Sequence, residues 1–137
     1  MNSPQIQTFE DLECWKACRE LRLFVAKVFC KALPKDERFR LGDQILRSAR
    51  STTANIAEGY GRFHYLDNAK FCSNARGSCH ETVDHMITAG DEDMVTDAVI
   101  EQGRQLAEKS IALLNGYISY LRRSANTKSA PEGGIAE

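Results

Sequence analysis

A chain of 137 residues with 42% apolar and 27% charged side chains is long enough for one domain with a true core, which excludes a disordered or disulfide-stapled class. No apolar run has the length needed to cross a bilayer, and residues 1–8 show no basic stretch leading into an apolar signal core, so a cytoplasmic location is expected. With a formal net charge of −1, any binding to nucleic acid or membrane must come from local charge placement.

The apolar period is helical throughout, with no strand-like alternation of useful length, so the fold class is all-α. Residues 1–8 read as an N-terminal arm. Thr8 can cap the first helix, with Asp11 returning the bond as the shorter acid of a capping box. That helix is expected to run to about Ala32, with Cys14, Ala17, Cys18, Leu21, Val25, Val28, Phe29 and Ala32 facing inward. Leu12, Trp15 and Leu23 project away from the centre of this face and suggest a second contact surface. Pro34 breaks the helix.

A second helix is expected from near Asp36 to near Glu58. Its core stripe is Leu41, Ile45, Ala49, Thr52 and Ile56, with Leu46, Thr53 and Ala57 as a weaker one. Arg40, Arg47 and Arg50 fall roughly opposite the core at 100° per residue. The run from Asn55 to Arg62 then meets two glycines. Either Gly59 or Gly61 can take the left-handed position that closes a helix, leaving Tyr60 and Arg62 on the following loop.

The third helix is expected over about Leu66 to Ala89, with Cys72, Ala75, Cys79, Thr82, Val83 and Met86 inward, and with Gly90 to Asp93 as the next turn. The fourth is expected from Met94 to Arg123. Val95, Val99, Leu106, Ser110, Leu113, Tyr117 and Leu121 make its main stripe, widened by Ile100, Ala107, Ile111, Leu114 and Ile118. A bundle helix needs an apolar arc of roughly 100°, so the excess on helices 1, 2 and 4 predicts a subunit interface, with Leu12, Trp15, Leu46 and Ile118 as its candidates. Residues 124–137, with Pro131, Gly133 and Gly134, lack periodicity and are expected to be disordered.

The chemistry-bearing residues point away from catalysis. Cysteines 14, 18, 30, 72 and 79 lack the paired short spacings of a zinc site. His80 beside Cys79 leaves a metal or redox cluster open, but small apolar core residues in a reducing compartment is the favoured reading. His64, His80 and His85 have no partner pattern, there is no phosphate loop, and Glu81 and His85 lack the spacing and the second copy of a di-metal bundle. No enzyme activity, cofactor or metal is therefore expected. Asn55, Glu58, Ser78 and Glu81 can form a polar network between helices 2 and 3, or Glu81 can pair with an arginine of a neighbouring helix or subunit.

Several of these residues also carry a resemblance. Phe9 to Leu12 followed by Trp15, then Gln44, Asn55 to Gly59, Arg62, Phe71, Ala75 to Ser78, Glu81 and Asn115 to Tyr117 resemble the bacterial four-helix bundle family known as the 23S rRNA intervening-sequence proteins, over about residues 9–123. The resemblance implies an antiparallel up-down four-helix bundle assembling into a ring, a homopentamer. It is also similar to the accessory protein of diversity-generating retroelements, a pentameric bundle whose basic surface binds nucleic acid, whereas here acids slightly outnumber bases.

Two functions from different classes follow as expectations. One is an RNA- or DNA-binding ring, with Arg40, Arg47, Arg50, Arg62 and Arg76 neutralising phosphates and Tyr60, Phe63, His64 and Tyr65 available for stacking. The other is a protein-interaction scaffold whose arginines serve assembly and whose loop aromatics pack over the bundle end.

Overall fold

The helical periodicity resolves into four helices packed side by side in the computed structural model, which describes residues 5–127. Arm residues 1–4 and tail residues 128–137, with the disorder expected of that tail, lie outside the described residues. α1 occupies residues 13–32, α2 Leu41–Gly61, α3 Tyr65–Asp91 and α4 Asp97–Ala125, and there is no strand among the described residues. Each helix packs on its neighbours in the chain and α4 closes back onto α1. The short turns make neighbours antiparallel, so the bundle runs up, down, up, down.

Thr8 caps a short 3-10 turn, Phe9–Asp11, ahead of α1. Its Oγ1 accepts the Glu10 N–H at 3.1 Å, while Asp11 Oδ2 accepts the N–H groups of Gln7 at 2.9 Å and Thr8 at 3.1 Å. Those backbone donors hold the Asp11 carboxyl below its ordinary value. Leu12 follows in extended backbone and is buried. Because it lies outside the helix, helical projection does not apply to it, and the residue expected at a subunit interface belongs to the chain's own core.

α1 contains a π-helical turn, Val25–Phe29. One extra residue in that turn rotates the remainder of the helix by about one position. An unbroken α-helix would bury Val28 and Ala32, as their spacing predicts. Instead Phe29 and Leu33 are buried and Val28 and Ala32 are exposed. Phe29 is inward as expected, and Leu33 takes the buried place that Ala32 was expected to hold.

α2 begins at Leu41, five residues later than expected, because Lys35–Glu37 form a separate 3-10 turn and Arg40 has non-helical dihedrals, φ −115° and ψ −93°. Its end corrects the reading of the glycines. Neither takes the left-handed position: the helix runs through both, and Phe63 supplies the positive φ, 61°. Gly59 serves close approach instead. A Cβ there would sit 2.6 Å from Asn68 Oδ1 and 2.9 Å from Phe71 Cβ, both on α3.

At the far end of α3, Gly90 is helical and Asp93, φ 58°, takes the left-handed position. Met94 N–H reaches Ala89 O at 2.8 Å and Asp93 N–H reaches Gly90 O at 3.1 Å, closing a Schellman turn. On α4 the core stripe is Gly103, Ala107, Ser110, Leu114, Ile118 and Leu121, with Leu106, Leu113 and Tyr117 as its half-buried flank. The core stripe thus takes Ser110 and Leu121 from the expected main stripe and Ala107, Leu114 and Ile118 from the expected widening one. Ile118, 2% exposed, lies in the core rather than at an interface.

Candidate interaction surfaces

α2 and α3 meet along a ladder of small hydroxyls. Ser48 and Thr82 are buried with their oxygens 2.8 Å apart. Each hydroxyl also reaches a carbonyl of its own helix, Thr82 Oγ1 donating to Ser78 O at 2.8 Å and Ser48 Oγ to Ile45 O at 3.0 Å. One turn along, Ser78 Oγ donates to Ser51 Oγ at 2.9 Å, and Asn55 Nδ2 donates to both Ser51 O and Ser51 Oγ at 2.9 Å. Small side chains satisfied in this way let two helices approach closely, and Gly59 ends the same seam.

This seam contains only half of the polar network expected from the sequence. Asn55 and Ser78 join it through Ser51. Glu58 and Glu81 stay on their own helices, pairing with Arg62 and His85 at the i, i+4 spacing. Ser48 and Ser51 were missed, and Thr82 was expected inward but not as part of a polar seam, although hydroxyl residues three or four apart on both helices were a visible signal.

The five arginines do not converge. Arg62 holds Glu58 Oε2 through Nε at 3.2 Å and Nη2 at 3.0 Å, with its guanidinium 4.9 Å from the centre of the Phe71 ring. Arg76 donates to Asn115 Oδ1 on α4 at 2.7 Å. Arg40 lines a cleft of about 290 Å³ together with Glu37, Asp84, His85 and Glu92. Only Arg47 and Arg50 adjoin, on the outer face of α2 with Asp43 and half-buried Leu46, and neither forms an ion pair among the described residues.

The loop aromatics divide in two. Tyr65 is buried and Tyr60 packs against the core, while Phe63 and His64 are exposed. Trp15 is half-buried, edge-on to Phe9 at 5.5 Å. Where α4 closes on α1 there is a largely apolar groove of about 300 Å³, lined by Leu12, Glu13, Ala112, Leu113, Gly116 and Tyr117.

Beneath these surfaces lies a polar and thiol core. Asn68, fully buried, donates to Tyr117 Oη at 3.1 Å and accepts from Cys72 Sγ at 3.4 Å. Cys14, Cys18, Cys72 and Cys79 are buried free thiols, in keeping with cysteine as a small apolar residue, and Cys18 Sγ lies 3.9 Å from Cys79 Sγ. Burial pushes the Cys72 thiol up to about 12 and raises Cys14 further. Among the described residues no three His, Cys, Asp or Glu side chains come together as a metal site, and no helix is long and apolar enough to cross a membrane.

No curated protein matches the chain. The family model described as 23S rRNA-intervening sequence protein matches residues 10–116. That span takes in α1, α2, α3, the hydroxyl seam with Gly59 and the first two thirds of α4. The chain belongs to the 23S rRNA-intervening sequence protein family.

Proposed function

We propose that this chain is a non-enzymatic, self-associating four-helix bundle that acts in the cytoplasm as a protein-interaction scaffold, with a homopentameric ring as its assembly. The scatter of the arginines is the observation that carries this reading. A polyanion groove needs cations aligned along one strip, yet Arg62 and Arg76 are engaged within the chain and Arg40 sits among carboxylates. The pentameric stoichiometry comes from the resemblance to the family. The half-buried apolar flank of α4, Leu106, Leu113 and Tyr117, leaves area for another chain.

Light scattering at micromolar concentration tests the assembly, and the expected mass is five times that of the 15.4 kDa chain. A monomer mass would overturn it. A second reading, RNA or DNA bound along α2, is favoured by the adjoining Arg47 and Arg50. It predicts retention on nucleic acid that falls steeply with salt, and that Arg47→Ala with Arg50→Ala weakens it while the assembly persists. No retention at low salt by an intact assembly would sink this second reading.

A further inference from the structure

Phe39 is 83% exposed, more than any other large apolar side chain among the described residues. It stands in the turn between α1 and α2, which buried Leu33 ties to the core and Arg38 ties to α1 by donating from Nη2 to Lys31 O at 3.1 Å. Of residues 31–40 only Leu33 is buried and Glu37 half-buried, so the turn stands out as a convex corner. Phe39 lines neither the cleft at Arg40 nor the one at Arg47.

The charge of this corner is opposite in sign to that of the whole chain, which is −1. Lys27 and Lys31 are exposed at the end of α1, Lys35 and Arg38 are exposed in the turn, and none of the four forms an ion pair among the described residues. Glu37 lines the cleft together with Arg40, which leaves Asp36 as the acid of residues 27–40 set against those four cations. At the same end of the bundle the α3–α4 turn is acidic, with Asp91, Glu92 and Asp93 all exposed. An anionic plane attracts the first turn and repels the second, so it meets the molecule tilted onto its α1–α2 edge.

We infer that this corner docks on an anionic lipid bilayer, with Phe39 entering the boundary between headgroups and acyl chains and Lys27, Lys31, Lys35 and Arg38 against the acidic headgroups. Charge complementarity and shape carry the choice of partner. A flat anionic surface suits a convex corner with an apolar tip, whereas a nucleic-acid strand is held by cations lining a groove. No helix among the described residues is long and apolar enough to cross the membrane, so the contact is peripheral. It needs one copy of the chain and does not depend on the self-association proposed above.

Flotation of the full chain with vesicles tests the docking. At about 0.1 M salt the chain is expected to float with phosphatidylcholine vesicles that contain phosphatidylserine and to stay behind with phosphatidylcholine alone. Raising salt to about 1 M is expected to release it, since the Debye length falls from about 10 Å to about 3 Å. Phe39→Ser is expected to weaken binding about tenfold and Lys35→Gln about fivefold, with helical circular dichroism unchanged because both residues are exposed. Phe63→Asn is expected to leave flotation as it is: it removes an exposed phenylalanine from the opposite end of α2, and asparagine tolerates the positive φ there.

Three outcomes overturn the docking: no flotation with the acidic vesicles, equal flotation with the neutral ones, or equal losses in Phe39→Ser and Phe63→Asn. A fourth assigns the corner to nucleic acid instead, namely retention on a single-stranded oligonucleotide that Phe39→Ser abolishes while the acidic vesicles retain nothing.

Discussion

At Gly59 a methyl group has no room, because Asn68 Oδ1 lies 2.6 Å from where the Cβ would be and that amide is held by Tyr117 and Cys72. Gly61, two residues on in the same helix, has nothing within 4 Å. Gly59→Ala is therefore expected to lower stability by about 1–3 kcal/mol through overpacking, and Gly61→Ala to raise it by about 0.5–1 kcal/mol through helix propensity. Urea unfolding of the two variants checks both signs. The sequence shows two equivalent glycines, and only the facing helix makes them different. The thiols behave in the opposite manner, since their apolar spacing already places them inside. Below pH 9.0, the ordinary thiol value, folded and unfolded chains both keep the Cys72 proton. From there to about 12 the unfolded chain has lost it and the folded chain has not, so stability falls as pH rises. The slope is at most about 1.4 kcal/mol per pH unit for each such thiol. Unfolding midpoints at pH 8 and pH 10 measure it, and a flat profile would contradict the burial.

Among the elements, α1 shows how a helix can be read correctly and its second half placed wrongly. Its first buried face follows from the spacing of Cys14, Ala17, Cys18 and Leu21, whereas Thr8 caps the 3-10 turn ahead of it and Leu12 stands at its N-cap without a side-chain bond. Beyond Phe24 the π-turn keeps Phe29 inward, as expected, and brings in Leu33 while Val28 and Ala32 turn outward. Deleting exposed Val28 should convert the wide turn to an ordinary α-turn while leaving Phe29 and Leu33 inward. The deletion is expected to fold with helical circular dichroism close to the parent's. Loss of the cooperative transition would show that the wide turn has a further role. The helix ends were legible to the extent that they depend on local chemistry, as with Thr8 and Asp11. They were not legible at Phe63 and Asp93, where non-glycine residues adopt the positive φ while the neighbouring glycines stay helical.

For the whole molecule, a near-neutral charge and dispersed arginines leave apolar contact as the main force available to join copies. The mass of the assembly is accordingly expected to hold as salt rises from about 0.1 M to about 1 M, although the Debye length falls from about 10 Å to about 3 Å. Dissociation over that range, followed by light scattering, would point to ion pairs instead. Periodicity alone determined the all-α class, the four helices and the buried cysteines, because a 3.6-residue period and side-chain polarity are properties of neighbouring residues. Tertiary structure decided which arginines are free, which glycine is a packing position, and that Leu12 and Ile118 belong to the core. Each of these depends on what a distant segment places opposite, such as Asn115 before Arg76 or Asn68 before Gly59, and that information lies in the packing of helices rather than in any one of them.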